Sequence, residues 1–201
     1  MKATSTYADG VQGLRLHRRT PRALELSARL NDRLGTGVLA FPLTAFSSDG
    51  EELNLSGFRR HIRRHIDHGA AALFIACGTG EFSALDEVEY SQVLEAAVAE
   101  ANGELPVLSG IGYGWAQARR FAKISEDVGV DGALVLPHYL VRAPQAGSVA
   151  HFRKIAEATE LPLMVYQRGL LQLEAETLAA IAEIPTVIGL KDGHGDLVTM
   201  H

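Results

Sequence analysis

Six short apolar runs punctuate the chain, at residues 38–43, 71–76, 107–111, 133–136, 163–166 and 187–190. Each has the length of a strand, and the segments between them place apolar residues at helical spacing. Between the second and third runs Tyr90, Val93, Leu94, Ala97, Val98 and Ala101 make one helix face, and Asp86 followed by Glu89 predicts a capping box at its start. Between the first and second runs Leu55, Phe58, Ile62 and Ile66 line one face, Arg59, Arg60, Arg63 and Arg64 lie mostly on the other, and Gly69 marks the stop. The pattern repeats with Phe121, Ala122, Ser125 and Val128, with Phe152 and Ile155, and with Leu178, Ile181 and Ala182.

Strands alternating with helices six times mean parallel βα units, so the fold class is α/β. Two architectures are built from such units. A doubly wound sheet usually announces a nucleotide site with a Gly-rich turn after its first strand, whereas here that strand runs into Pro42, Leu43, Thr44, Ala45 and Phe46. Glycine and polar residues gather instead after several strands: Gly78, Thr79, Gly80 and Glu81; Gly112, Tyr113 and Gly114; His138 and Tyr139; Tyr166, Gln167 and Arg168; Lys191, Asp192 and Gly193. That distribution predicts a (β/α)8 TIM barrel, whose active site is assembled from many strand ends on one face. The sixth run and its turn reach nearly to His201, so the expectation is a barrel truncated after its sixth strand, against eight strands and about 250 residues in a typical one. Two unpaired strand edges would then make these 201 residues prone to aggregation and catalytically incompetent without a partner that supplies the missing strands. Residues 1–22, polar, weakly patterned and basic around Arg15, Arg18, Arg19 and Arg22, are expected to form an N-terminal tail ahead of a partial barrel domain at 23–201.

Composition narrows the partners. With 47% hydrophobic and 21% charged residues the chain is ordinary globular material, and a net charge of −5 argues against nucleic acid or an anionic membrane, both of which reward clustered Lys and Arg. The arginines between the first two strands are therefore read as a solvated helix face. A single cysteine, Cys77, excludes an intrachain disulfide and reads as a small buried residue, since no histidine is placed by sequence to activate it. No apolar run is long enough to span a bilayer, and the first residues lack the apolar stretch of a secretory signal, so the cytoplasm is the expected setting. His61, His65 and His68, on one helix, are read as solvated surface, and no metal is expected.

The candidate chemistry centres on Lys191, at the end of an apolar run that reads as a buried strand. A free amine titrates near ~10.4 and is protonated at neutral pH, but desolvation favours the neutral form, whose usual chemistry is Schiff-base formation with a carbonyl. The plain alternative is a lysine that leaves its strand and reaches water.

The order of the strand-end segments resembles the lysine-dependent aldolase and lyase superfamily of dihydrodipicolinate synthase and N-acetylneuraminate lyase, from about Gly35 onward. The segments are residues 39–44, Gly78 to Glu81, Gly112 to Gly114, residues 136–140, and residues 190–196. Four of them, at 39–44, 112–114, 136–140 and 190–196, point within that superfamily to the 5-dehydro-4-deoxyglucarate dehydratase branch. The resemblance implies that Lys191 is the Schiff-base lysine and Tyr166 the tyrosine that relays protons between substrate and imine. It implies that Gly78, Thr79 and Gly80 hold the carboxylate of an α-keto acid, and that Tyr139 reaches toward a neighbouring subunit's site. Arg168 is matched to the second carboxylate; the branch tends to carry asparagine where Gln167 stands. The implied partner is a small α-keto sugar acid, the implied cofactors none, and the complete protein a homo-oligomer. The implied reaction loses water and carbon dioxide from 5-dehydro-4-deoxy-D-glucarate. Another class I aldolase of the superfamily, a non-catalytic fragment and a binding module without chemistry stay open at this point, because the first covalent step is common to lyase and aldolase.

Overall fold

The computed structural model describes residues 19–35 and 37–196; Met1 to Arg18, most of the expected basic tail, lie outside the described residues. Six strands, β1 (Leu39–Ala40), β2 (Ala72–Ile75), β3 (Val107–Ile111), β4 (Gly132–Val135), β5 (Leu163–Gln167) and β6 (Val187–Asp192), alternate with helices α2 (Leu55–Asp67), α3 (Glu87–Ala101), α4 (Trp115–Val128), α5 (Gln145–Ala156) and α6 (Ala175–Ala182). All neighbouring strands pair in parallel, in the order β1-β2-β3-β4-β5-β6. A doubly wound sheet reverses its strand order at a switch point, and this one never reverses. The order is that of a (β/α)8 barrel, of which these residues form a six-stranded arc with every strand end on one face.

Local sequence explains the helix boundaries. Asp86 accepts from the amides of Val88 and Glu89 at 2.8 Å each, and the Glu89 carboxylate accepts from the Asp86 amide at 3.0 Å, the reciprocal cap read from the spacing. Asn54 caps α2 through Gly57, and Gly129 ends α4 in the left-handed conformation. The centre of the arc is the core: β2, β3 and β4 are buried along their whole length, covered by Phe58, Ile62, Tyr90, Leu94, Phe121 and Phe152 from the helices.

Three features differ from the pattern reading. β6 is not a buried strand: Val187 is buried, but Leu190 is 40% exposed, because β5 is its sole strand neighbour among the described residues. In α6 the buried positions are Thr177 and Ile181, while Ala182 faces solvent near the helix end. A helix absent from the pattern reading, α1 (Pro21–Leu34), begins within the segment expected as tail, capped by Thr20 with proline in its first turn. It packs across the N-terminal ends of the strands. Ala23, Leu26 and Leu30 are buried there, Arg22 donates to Val130 O at 2.7 Å, Arg33 to Ala71 O at 2.9 Å, and Arg29 pairs with Asp131.

Candidate active site

Parallel pairing places the ends of all six strands at one rim, and the register aligns Tyr166 of β5 with Lys191 of β6. Side chains alternate along a strand, so Tyr166 and Lys191 share one face of this pair while Gln167 and Asp192 share the other. The Lys191 amine stands 3.8 Å from the centre of the Tyr166 ring and 4.3 Å from that of Phe41, which follows β1. Phe41 itself stacks on buried Phe74 of β2, with centroids 4.7 Å apart. A lysine between two aromatic faces packs its apolar stem on them, and its nitrogen is kept at the rim. Phe41 lies in the segment singled out by sequence, but its position under Lys191 crosses the arc from β1 to β6 and no spacing reveals it.

Two hydrogen-bond systems fix the rim. On the far face of β5 and β6, Gln167 Nε2 donates to Asp192 Oδ1 at 2.6 Å, Gln167 Oε1 accepts from the Leu173 amide at 3.1 Å, and Asp192 Oδ2 accepts from the Gly195 amide at 2.9 Å. The Gln167 and Gly195 donors hold the Asp192 carboxyl below the usual carboxylate range. Both loops beyond Tyr166 and Lys191 are thereby tied together, and a glutamine, one methylene longer than asparagine, spans Asp192 and Leu173 at once. Gly193 has no room for a side chain: a Cβ there would stand 2.8 Å from Tyr166 Cε2 and 3.0 Å from Gln167 O. Arg168 Nη1 lies 3.4 Å from the Tyr166 hydroxyl, which brings the proposed carboxylate partner to the Lys191 and Tyr166 pair.

At the end of β2, Gly78 and Thr79 are exposed and Gly80 is buried. Thr44, itself buried, donates to Gly80 O at 2.7 Å and so ties the turn to the segment after β1. Ala76 and Glu81, with φ of 48° and 59°, bend the chain sharply on either side of the turn. The adjacent strand approaches closely, since a Cβ on Gly110 would lie 2.3 Å from Ala76 O. Buried Tyr90 donates to Gly110 O at 2.8 Å from α3. Cys77 is buried, and burial pushes its thiol up to about 12, so it is a packing residue rather than a nucleophile.

Tyr139 stands apart from Lys191. It is 71% exposed, and its ring lies 6.2 Å from that of Tyr113, which packs on Phe82 beside the glycine turn. Leu140 and Val141 are exposed next to it, at 73% and 53%. Among the described residues no group of three or more His, Cys, Asp or Glu side chains could hold a metal ion, and no helix is long and apolar enough to cross a membrane. A cleft of about 380 Å3 lined by Thr20, Arg153, Glu157, Thr159, Glu183 and Thr186 opens at the opposite, N-terminal end of the strands, away from this chemistry.

Comparison with known proteins adds three findings. The sequence model of the Dihydrodipicolinate synthetase family matches residues 35–201. A protein of Streptomyces avermitilis named probable 5-dehydro-4-deoxyglucarate dehydratase 2 is 56% identical over 169 residues, which are 84% of this chain and 51% of that protein. One of Rhizobium meliloti named probable 5-dehydro-4-deoxyglucarate dehydratase is 46% identical over 172 residues, 84% of this chain and 56% of that protein. The chain thus spans about half the length of the curated relatives it matches. Among solved structures, dihydrodipicolinate synthase of Acinetobacter baumannii in complex with pyruvate superposes with a TM-score of 0.77 at 31% identity, over 81% of this chain and 57% of that one.

Proposed function

The chain belongs to the dihydrodipicolinate synthetase family, and on that footing we propose that it carries the Schiff-base lysine of a lyase converting 5-dehydro-4-deoxy-D-glucarate to 2,5-dioxopentanoate with loss of water and carbon dioxide. The observation that carries the reading is the Lys191 amine lodged between the rings of Phe41 and Tyr166 at the end of β6.

The unprotonated amine of Lys191 attacks the substrate ketone and water leaves, giving a protonated imine. That cation is the electron sink for every later step. Removal of a proton from the adjacent methylene forms an enamine, which expels the hydroxyl on the next carbon. The conjugated imine then accepts the electrons of the bond to the far carboxylate, which departs as carbon dioxide. Protonation and hydrolysis release 2,5-dioxopentanoate and restore the amine. In this scheme Tyr166, its ring against the Lys191 nitrogen, is the proton carrier, and Arg168 receives the second carboxylate, a role supported by its Nη1 lying 3.4 Å from the tyrosine hydroxyl. Gly78, Thr79 and Gly80 offer small, partly exposed backbone for the carboxylate beside the ketone. The imine supplies the electrophile, so the steps require neither metal nor redox cofactor. Tyr139, exposed beside Leu140 and Val141, belongs in this reading to a contact between subunits of a homo-oligomer.

Borohydride trapping tests the lysine. A polypeptide carrying further βα units after His201, incubated with pyruvate and reduced, is expected to gain the adduct mass at Lys191, and Lys191→Ala to gain none; labelling that survives in Lys191→Ala defeats the assignment. Product analysis with 5-dehydro-4-deoxy-D-glucarate tests the branch: carbon dioxide and 2,5-dioxopentanoate are expected, and pyruvate as the main product would move the protein to the aldolases.

A further inference from the structure

Away from the strand-end rim, α2 carries His61 and His65 one turn apart, and His68 follows as its C-cap. Arg63 pairs with Glu104, just past the end of α3, at 2.6 Å, and Arg59 lies 3.4 Å from Ala96 O of α3, so the histidines occupy the opposite flank of the helix. Nε2 of His61 and Nε2 of His65 face each other at 3.4 Å, with ring centres 4.6 Å apart and planes at 72°. The nitrogens are closer than the ring centres, so each ring turns its Nε2 edge toward the other. A separation of 3.4 Å is long for a nitrogen donor, whose hydrogen bonds cluster near about 2.9–3.0 Å. It suits two imidazoles on one ion: metal–nitrogen bonds of about 2.0–2.1 Å at the tetrahedral angle put the two nitrogens about 3.3–3.4 Å apart.

We propose that His61 and His65 form a two-histidine clamp for a single first-row divalent transition ion, with water completing its coordination. The site shares no residue with the lyase chemistry and does not depend on it. Imidazole nitrogen suits copper, nickel and zinc and not the oxygen-seeking calcium or magnesium, and among such ions copper(II) binds N-donor sites most tightly. His68 is turned away, its Nδ1 2.7 Å from Arg64 O, and is not a ligand. Because the two donors sit one helical turn apart, a bound ion bridges that turn and rigidifies α2.

The test uses the untagged 201-residue chain, titrated with Cu2+, Ni2+ and Zn2+ at neutral pH against a chromophoric chelator, with the Cu2+ complex examined by electron paramagnetic resonance. One equivalent is expected, tightest for Cu2+, with hyperfine structure from two imidazole nitrogens. His61→Gln and His65→Gln should each weaken Cu2+ binding roughly tenfold or more, since either change turns a chelate into a single ligand. His68→Gln should leave it unchanged, with helical circular dichroism equal in all three. If His65→Gln, on the more confined side chain, loses helix content, His61→Gln decides. Cu2+ binding that is indifferent to His61→Gln, or that falls equally in His68→Gln, would overturn the clamp and leave a long hydrogen bond between two surface histidines.

Discussion

Gly193 stands where a side chain would meet the ring that lies against Lys191. Its missing Cβ would be 2.8 Å from Tyr166 Cε2, 3.0 Å from Gln167 O and 3.1 Å from the Tyr166 hydroxyl, and the carbonyl belongs to a strand and cannot yield. Gly193→Ala is therefore expected to displace Tyr166, to cost roughly 1–3 kcal/mol of stability as an overpacked site does, and to slow borohydride labelling of Lys191. Denaturant midpoints and labelling rates check this; labelling at the unaltered rate would mean that Tyr166 need not keep its position. His138 and His151 present a second test. Their Nε2 atoms are buried without a partner, their rings meet edge-to-face at 5.5 Å, and burial lowers both below the ordinary 6.5. A base whose folded value is depressed leaves the unfolded chain with more protons, so the contribution to stability is intact above about 6.5 and is lost as pH falls through the folded values. Acidification from about pH 7.5 to 5.5, a window above the ordinary carboxylate range, should lower the denaturant midpoint, and replacing both residues by glutamine should flatten that dependence. An equal slope in both proteins would assign the effect elsewhere.

At the scale of elements, α1 couples to the sheet through one carboxylate. Asp131 accepts from the Val107 amide at the start of β3 at 2.8 Å, and its other oxygen meets Arg29 of α1. Removing it leaves a partly buried amide and a guanidinium without their acceptor, so Asp131→Ala should cost about 1–3 kcal/mol. Asp131→Asn, which keeps an acceptor for Val107, should cost less. Equal midpoints for Asp131→Ala and the unaltered chain would show that Asp131 adds nothing to the docking of α1 by Ala23, Leu26 and Leu30 and by the Arg22 and Arg33 hydrogen bonds.

For the molecule as a whole, β1 and β6 each pair on one side only among the described residues. Val38 is 74% exposed and Leu43 is 55% exposed beside β1, and Leu190 is 40% exposed in β6. Open strand edges with apolar flanks recruit other edges. These 201 residues expressed alone should therefore form a heterogeneous, concentration-dependent series of aggregates in sedimentation velocity, and a longer polypeptide that closes the arc should sediment as one discrete species. A monodisperse monomer with one sharp unfolding transition would contradict that expectation.

The sequence by itself determined the elements and their type. Apolar period and cap chemistry are local properties, so the six strands, the helices between them and the Asp86 and Glu89 cap were legible from spacing alone. The choice of barrel order over a doubly wound sheet was legible too, because the chain records which strand ends carry polar residues. Lys191 and Tyr166 were visible as chemistry, though only as residues 25 positions apart in the sequence. Tertiary structure alone decided that they are register partners, that Phe41 lies under the amine, and that Gln167 ties Asp192 to Leu173. It also decided that α1 closes the far end and that β6 is half open. Each of these depends on which strand lies beside which and on what covers its faces. That is a property of long-range packing, for which hydrophobic period carries no signal.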